Sequence, residues 1–125
     1  MATELSKKIL IAEDEKPMAH ALELKLGHAG YATKVVHNGA DAVEEIKTGQ
    51  YALVLMDLIM PKMDGFAALE MLKEIGNKTP VFVTSNLGQD EDIARAKSLG
   101  AAEYLVKSNT PIAEIVEKVK AFLGT

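Results

Sequence analysis

Along the chain, short apolar runs rich in branched residues alternate with longer stretches whose apolar positions recur three or four apart. The runs KILIA (8–12), ALVLM (52–56), VFV (81–83) and YLV (104–106) read as strands buried on both faces, as parallel strands are. A fifth run, ATKVV (32–36), is more polar and suits a sheet edge. Between the runs lie five helical patterns. The first starts near Pro17, a good first-turn residue, and sets Met18, Leu22 and Leu26 on one face before Gly30. The second follows Asn38 as a cap, with Ala42, Val43 and Ile46 apolar and Gly49 as the stop. The third begins after Asp64, buries Ala68, Leu69, Leu72 and Ile75, and stops at Gly76. The fourth, about Asp90 to Leu99, has only Ile93 and Leu99 as bulky anchors and is expected to dock least firmly. In the fifth, Thr110 caps and Pro111 takes the first turn. Ile112, Ile115, Val116, Val119, Phe122 and Leu123 then form one apolar stripe.

Strand and helix alternating five times, with right-handed crossovers, imply a five-stranded doubly wound parallel sheet with helices on both sides, an α/β fold. At 125 residues, the chain suits one domain over 1–125, with no linker or internal repeat.

A formal charge of -4 gives no general attraction to nucleic acid or anionic lipid, so no direct nucleic-acid contact is expected. The absence of Cys removes disulfides, thiolate metal sites and thiol nucleophiles. No apolar run approaches the roughly 18 residues of a membrane span, and MATELSKK has no apolar segment suited to a signal peptide. A cytoplasmic protein without membrane insertion is expected.

In a doubly wound sheet the ligand sits beyond the carboxyl ends of the strands, where strand order reverses. Those ends carry Glu13, Asp14 and Glu15 after the first strand, Asp57 after the third, Thr84, Ser85 and Asn86 after the fourth, and Lys107 after the fifth. If the first and third strands are neighbours, Glu13, Asp14 and Asp57 converge. Three carboxylates with one ammonium then leave negative charge that a hard divalent cation would balance. Oxygen donors without Cys or His suit Mg2+ better than zinc. Such a site would orient a phosphoryl group by position and charge. With no Ser–His pair or thiol at hand, the nucleophile would be a carboxylate forming an acyl phosphate, and Asp57 is the most central candidate.

Four segments in this order, ILIAEDE, VLMDLIMPKMDG, VFVTSN and GAAEYLVK, resemble the motifs of receiver domains of two-component response regulators, close to the single-domain chemotaxis type. The resemblance covers essentially the whole length. It implies a flavodoxin-like strand order 2-1-3-4-5 with five helices, and a phosphoacceptor protein rather than an enzyme. Asp57 would accept a phosphoryl group from a histidine kinase or phosphotransfer protein. Mg2+ or Mn2+ would be held by Asp14, Asp57 and the backbone carbonyl of Ile59, with Glu13 acting through water. Thr84 and Lys107 would each contact a phosphoryl oxygen. Thr84 and Tyr104 would then reshape the face of the fourth helix, fifth strand and fifth helix, where an unknown downstream protein docks. Ile59 and Asn86 stand where the family tunes phosphate lifetime. The weak anchoring of the fourth helix agrees with such a switch.

The family usually has proline after the lysine, in a cis bond, whereas Lys107 is followed here by Ser108. A non-proline cis bond costs about 2.5 to 4 kcal/mol, so a trans bond or an altered loop is expected. Taken singly, Asp57 reads as a cap of the loop before Pro61, Lys107 as a solvated lysine, Thr84 as an ordinary strand residue, and Tyr104 as packed aromatic or switch. Asp64–Gly65 reads as a cap and turn, and the six methionines as core filling, with Met60 and Met63 exposed near the site. His20, His28 and His37 read as surface residues. A haloacid-dehalogenase-like phosphatase would need a second Asp where Ile59 stands, and a nucleotide-binding protein would need a glycine-rich loop after the first strand. A phosphorylation-independent pseudo-receiver and the excised receiver of a larger regulator are the remaining alternatives.

Overall fold

A computed structural model of the chain describes residues 7–124. The first six residues of MATELSKK therefore lie outside the described part. The elements are β1 (Lys8–Ala12), α1 (Lys16–His28), β2 (Ala32–Val36), α2 (Gly39–Lys47), β3 (Leu53–Met56), α3 (Gly65–Glu74), β4 (Val81–Ser85), α4 (Asp90–Ser98), β5 (Glu103–Val106) and α5 (Ile112–Leu123). All five strands are parallel, in the order β2-β1-β3-β4-β5. The polar run 32–36 forms one edge strand, as its composition suggested. β5 forms the other, so YLV is not buried on both faces as expected; only its Leu105 is buried, because no strand covers the far side of β5.

Alternation along each strand sends side chains to opposite faces, so an all-parallel sheet needs two cores. On one face, Ile9, Ile11, Leu53, Leu55 and Phe82 pack with Leu22 and Leu26 of α1 and Ile115 and Val119 of α5. On the other, Leu10, Val54, Met56 and Val83 pack with Val43 and Ile46 of α2, Leu69 and Leu72 of α3, and Ala96 of α4. The register pairs Ala12 with both Val36 and Met56, so β2, β1 and β3 end level and release His37, Glu13 and Asp57 at one height.

Helix starts follow local chemistry. The Asn38 side chain accepts from the Asp41 amide at 2.8 Å, and the Asp64 side chain accepts from the Ala67 amide at 2.8 Å. The fifth helix differs from expectation. A 3-10 turn over Lys107–Asn109 intervenes, Thr110 closes it with its amide 3.3 Å from the Lys107 carbonyl, and Pro111 stands at the N-cap without a side-chain cap bond. Thr110 is buried instead of capping. Among the described residues there is no cis peptide bond, so Lys107–Ser108 is trans, as the serine implied.

Other departures concern element ends and the burial of single side chains. The fourth strand runs past VFV to take in Thr84 and Ser85, both buried. Ile75 caps α3 and is half exposed rather than buried, and Phe122, on the apolar stripe, is also half exposed while its ring meets Phe82 edge-on at 5.0 Å. Met60 is buried, not exposed, because the loop after β3 folds it under the helices.

Helix α4 buries only Ala96. Polar ties to α3 supplement that contact: the Arg95 guanidinium lies 4.2 Å from the centre of the Phe66 ring and 3.8 Å from Glu70, and the Lys73 ammonium donates to the Ser98 carbonyl at 3.1 Å. Exposed pairs of this kind contribute about 1 kcal/mol or less each, so α4 is the helix with least apolar hold on the body. Among the described residues, no helix is long and apolar enough to cross a membrane.

Candidate functional site

The carboxyl ends of β1, β3, β4 and β5 bring the acidic and basic residues of four loops to one edge of the sheet. An open cleft of about 250 Å³ there is lined by Asp14, Glu15, Asp57, Ile59, Asn86 and Lys107. At its base the Lys107 ammonium stands 2.8 Å from Glu13 Oε1, 3.1 Å from Asp57 Oδ2 and 3.3 Å from Glu15 Oε1. The register sets Asp57, one residue past Met56, level with Thr84 and Leu105, so Lys107 follows two residues beyond that level and its long side chain spans the gap to Asp57.

Glu13 and Asp57 are buried, with 1% and 5% of their surface exposed, which an unpaired carboxylate would not tolerate. Asp57 also receives the Ile59 amide on Oδ1 at 3.3 Å, and Glu13 receives the Glu15 amide on Oε2 at 3.1 Å. The other oxygen of Glu13, Oε1, has no aligned hydrogen bond; the nearby ammonium holds it by charge. Burial pushes the Glu13 carboxyl above its ordinary pKa; Lys107 opposes that shift and the Asp57 charge reinforces it. Burial works against the Lys107 ammonium, but contact with Glu13 and the fields of Asp57 and Glu13 outweigh it and hold this pKa above the ordinary value.

The three carboxylates expected to converge do not form a ready-made metal cage. Among the described residues, no group of three or more His, Cys, Asp or Glu side chains is spaced to hold an ion. The Lys107 ammonium contacts Glu13 and Asp57, while Asp14 is exposed on the cleft wall. Thr84 is 1% exposed and does not line the cleft. Ile59 and Asn86 do line it, and Ile59 is 60% exposed.

Tyr104 pairs with Val83 across the sheet and donates its hydroxyl to the Leu87 carbonyl in the β4–α4 loop. Burial, followed by the charge of Asp92, raises its pKa. The Leu87 amide in turn donates to Ser85 Oγ at 3.2 Å, so this aromatic ring is tied to the segment leading into α4.

Three features were not legible in the sequence. Glu15, third in the acidic run, contacts Lys107. His20, His28 and His37 are all exposed, as read, yet His37 Nδ1 meets the Glu13 carbonyl at 2.9 Å. Gly39 and Gly65 sit so close to the loop after β3 that a methyl group on either would strike its backbone. The run of acids hinted at the first; the other two depend on packing between distant segments.

A family model described as the response regulator receiver domain matches residues 9–120. Transcriptional regulatory protein DltR of Streptococcus agalactiae is 36% identical over 100 residues, 80% of this chain and 45% of that protein. Uncharacterized transcriptional regulatory protein YkoG of Bacillus subtilis is 32% identical over 115 residues, 92% of this chain and 50% of its own length. The chain thus spans about half the length of these curated relatives. The solved receiver domain of the Francisella response regulator 1452 is similar with a TM-score of 0.86 and 30% identity, covering 93% of this chain and 95% of that one.

Proposed function

Because the chain belongs to the receiver domains of two-component response regulators, we propose that Asp57 accepts a phosphoryl group from a histidine kinase or phosphotransfer protein. The acyl phosphate then resets the face made by α4, β5 and α5, where a downstream protein docks. The observation that carries this reading is the placement of Asp57: it directly follows the central strand, lines the cleft, and lies 3.1 Å from Lys107.

Receiver domains are phosphoacceptor signalling domains rather than enzymes in the usual sense. In the transfer, an Asp57 oxygen attacks phosphorus, the bond from phosphorus to the donor imidazole nitrogen breaks, and the departing imidazole takes a proton from solvent. Lys107 pairs with a phosphoryl oxygen that takes over from the carboxylates now around it. The Thr84 hydroxyl donates to another, which requires Thr84 to leave its buried position. Tyr104, bound to the Leu87 carbonyl, follows through the β4–α4 loop and shifts the lightly anchored α4.

Receiver domains generally bind Mg2+ at the phosphorylation site. The donors here fit a hard cation: the Asp14 and Asp57 carboxylates line the cleft with no Cys or His among its lining residues, and Glu13 stands behind them on the Lys107 ammonium. Asp14, Asp57 and the Ile59 carbonyl are the proposed ligands of Mg2+ or Mn2+, with Glu13 acting through water. The ion would add positive charge beside the phosphoryl oxygens.

Residues 1–125 act as one receiver unit. Relatives about twice as long are named as transcriptional regulators, and the acidic balance of this domain favours output through protein contacts rather than its own hold on nucleic acid.

Incubation with a small phosphodonor tests the reading. An alkali-labile acyl phosphate should form with Mg2+, fail to form without it, and be absent in Asp57→Asn; label retained in Asp57→Asn contradicts the assignment. A second prediction concerns Ile59, whose apolar side chain lines the cleft and cannot orient a hydrolytic water. Ile59→Asn should lose its phosphoryl group several-fold faster, followed as decay of labelled protein after the donor is removed. An unchanged or slower decay contradicts that role.

A further inference from the structure

The loop between β2 and α2 borders the site but carries none of the chemistry assigned above. The Glu13 amide donates to the Val36 carbonyl at 3.0 Å, and the Glu13 carbonyl then meets His37 Nδ1 at 2.9 Å. A carbonyl oxygen only accepts, so Nδ1 carries a proton, and the imidazole extends the β1–β2 ladder one bond beyond the strands. Two residues later the Gly39 amide donates to the Met63 carbonyl at 2.8 Å. Between them, buried Asn38 is locked as the cap of α2. One short segment therefore holds the loop that carries Glu13 and Asp14 and also the loop that follows Asp57.

Resting on the functional reading above, we propose that His37 is a positioning residue for the metal-binding carboxylates. Its Nδ1–H fixes the Glu13 carbonyl, hence the plane of the Glu13–Asp14 peptide, hence the direction from which the Asp14 carboxylate reaches the cleft. His37 itself touches neither the ion nor the phosphoryl group. The neutral Nδ1–H tautomer and the imidazolium both donate from Nδ1, so either form keeps the bond. Asparagine carries its N–H where Nδ1 stands, whereas glutamine carries it one bond further out.

Calorimetric titration with Mg2+ of the wild type, His37→Ala, His37→Asn and His37→Gln tests this, with thermal unfolding of each as control. Partners that orient metal ligands typically change affinity by 10–100-fold, and one acting through the backbone should give the lower end. His37→Ala and His37→Gln should weaken Mg2+ binding about tenfold, and His37→Asn should stay within about twofold of the wild type. Nitrogen-15 spectra should show neutral His37 as the Nδ1–H tautomer. Unchanged affinity in His37→Ala, rescue by glutamine as good as by asparagine, an Nε2–H tautomer, or a wild type that binds no Mg2+ overturns the proposal. Calorimetry is independent of phosphoryl transfer. A wild type with the expected affinity pattern that takes no phosphoryl group would support the His37 role and contradict the Asp57 assignment. A labelled wild type whose Mg2+ affinity ignores His37→Ala would do the reverse.

Discussion

Gly65→Ala is expected to destabilise the protein by about 3 kcal/mol and to impair phosphoryl acceptance at the same time. A Cβ on Gly65 would fall 2.5 Å from the Asp57 carbonyl oxygen and 2.7 Å from Leu58 Cα. Both are backbone atoms of the segment leaving β3, so no side chain can rotate away, and the strain must move the chain at Asp57 itself. The Gly65 amide also donates to the Leu58 carbonyl at 2.8 Å, which fixes the start of α3 against that segment. Gly39→Ala should act in the same direction, since its Cβ would strike the Met63 carbonyl. Gly27→Ala is the control: nothing lies within 4 Å of the added methyl in α1, and helix propensity favours alanine by up to about 1 kcal/mol. Urea unfolding of the three variants checks the order. Gly65→Ala as stable as the wild type would mean that α3 does not clamp the acceptor strand.

Lys107→Met is expected to lower stability near neutral pH by about 2 kcal/mol, with a deficit that shrinks in acid. Removing one partner of a buried ion pair commonly costs 3–5 kcal/mol, and the open cleft reduces the figure. The pH dependence follows from the direction of each shift. The Lys107 pKa is raised in the fold, so its contribution is fully present below the ordinary lysine pKa and is lost only as pH climbs through the raised value. The Glu13 pKa is also raised, chiefly by burial, so Glu13 favours the fold below the ordinary carboxylate pKa and loses that contribution as pH climbs through its raised value. Without Lys107, two influences that lower the Glu13 pKa disappear, and its charged form becomes harder to accommodate at neutrality. The difference from the wild type should therefore be largest near neutral pH and decline as pH falls towards the ordinary carboxylate range. A deficit independent of pH would mean that the packing of the lysine stem matters, not its charge.

The parallel sheet was legible because strands buried on both faces must be continuously apolar, and LVLM and VFV have no other good use. The β2 edge was legible for the converse reason, whereas β5, the other edge, is as apolar in sequence as a central strand and did not reveal its position. Element ends were harder: Thr84 and Ser85 are polar, so the apolar run stops at Val83 although the strand does not, and Thr110–Pro111 has the composition of a helix cap although a 3-10 turn displaces it. For the site, each strand end could be read for its charge, which gathered Asp14, Asp57, Asn86 and Lys107 at one cleft. Charge alone could not show that Lys107 bridges Glu13, Glu15 and Asp57. Nor could it show that an exposed histidine after the edge strand, where no acid drew attention, would hold the backbone of the first acidic residue.

The most direct test of Asp57 as the phosphoacceptor is to locate the phosphoryl group. Protein labelled by a small phosphodonor with Mg2+ can be treated with borohydride, which reduces an acyl phosphate to the alcohol, then digested and mapped by mass spectrometry. The reduced residue should be found at position 57 alone. Reduction at Glu13, Asp14 or Glu15, or none at all in protein that remains folded and binds Mg2+, would contradict the assignment.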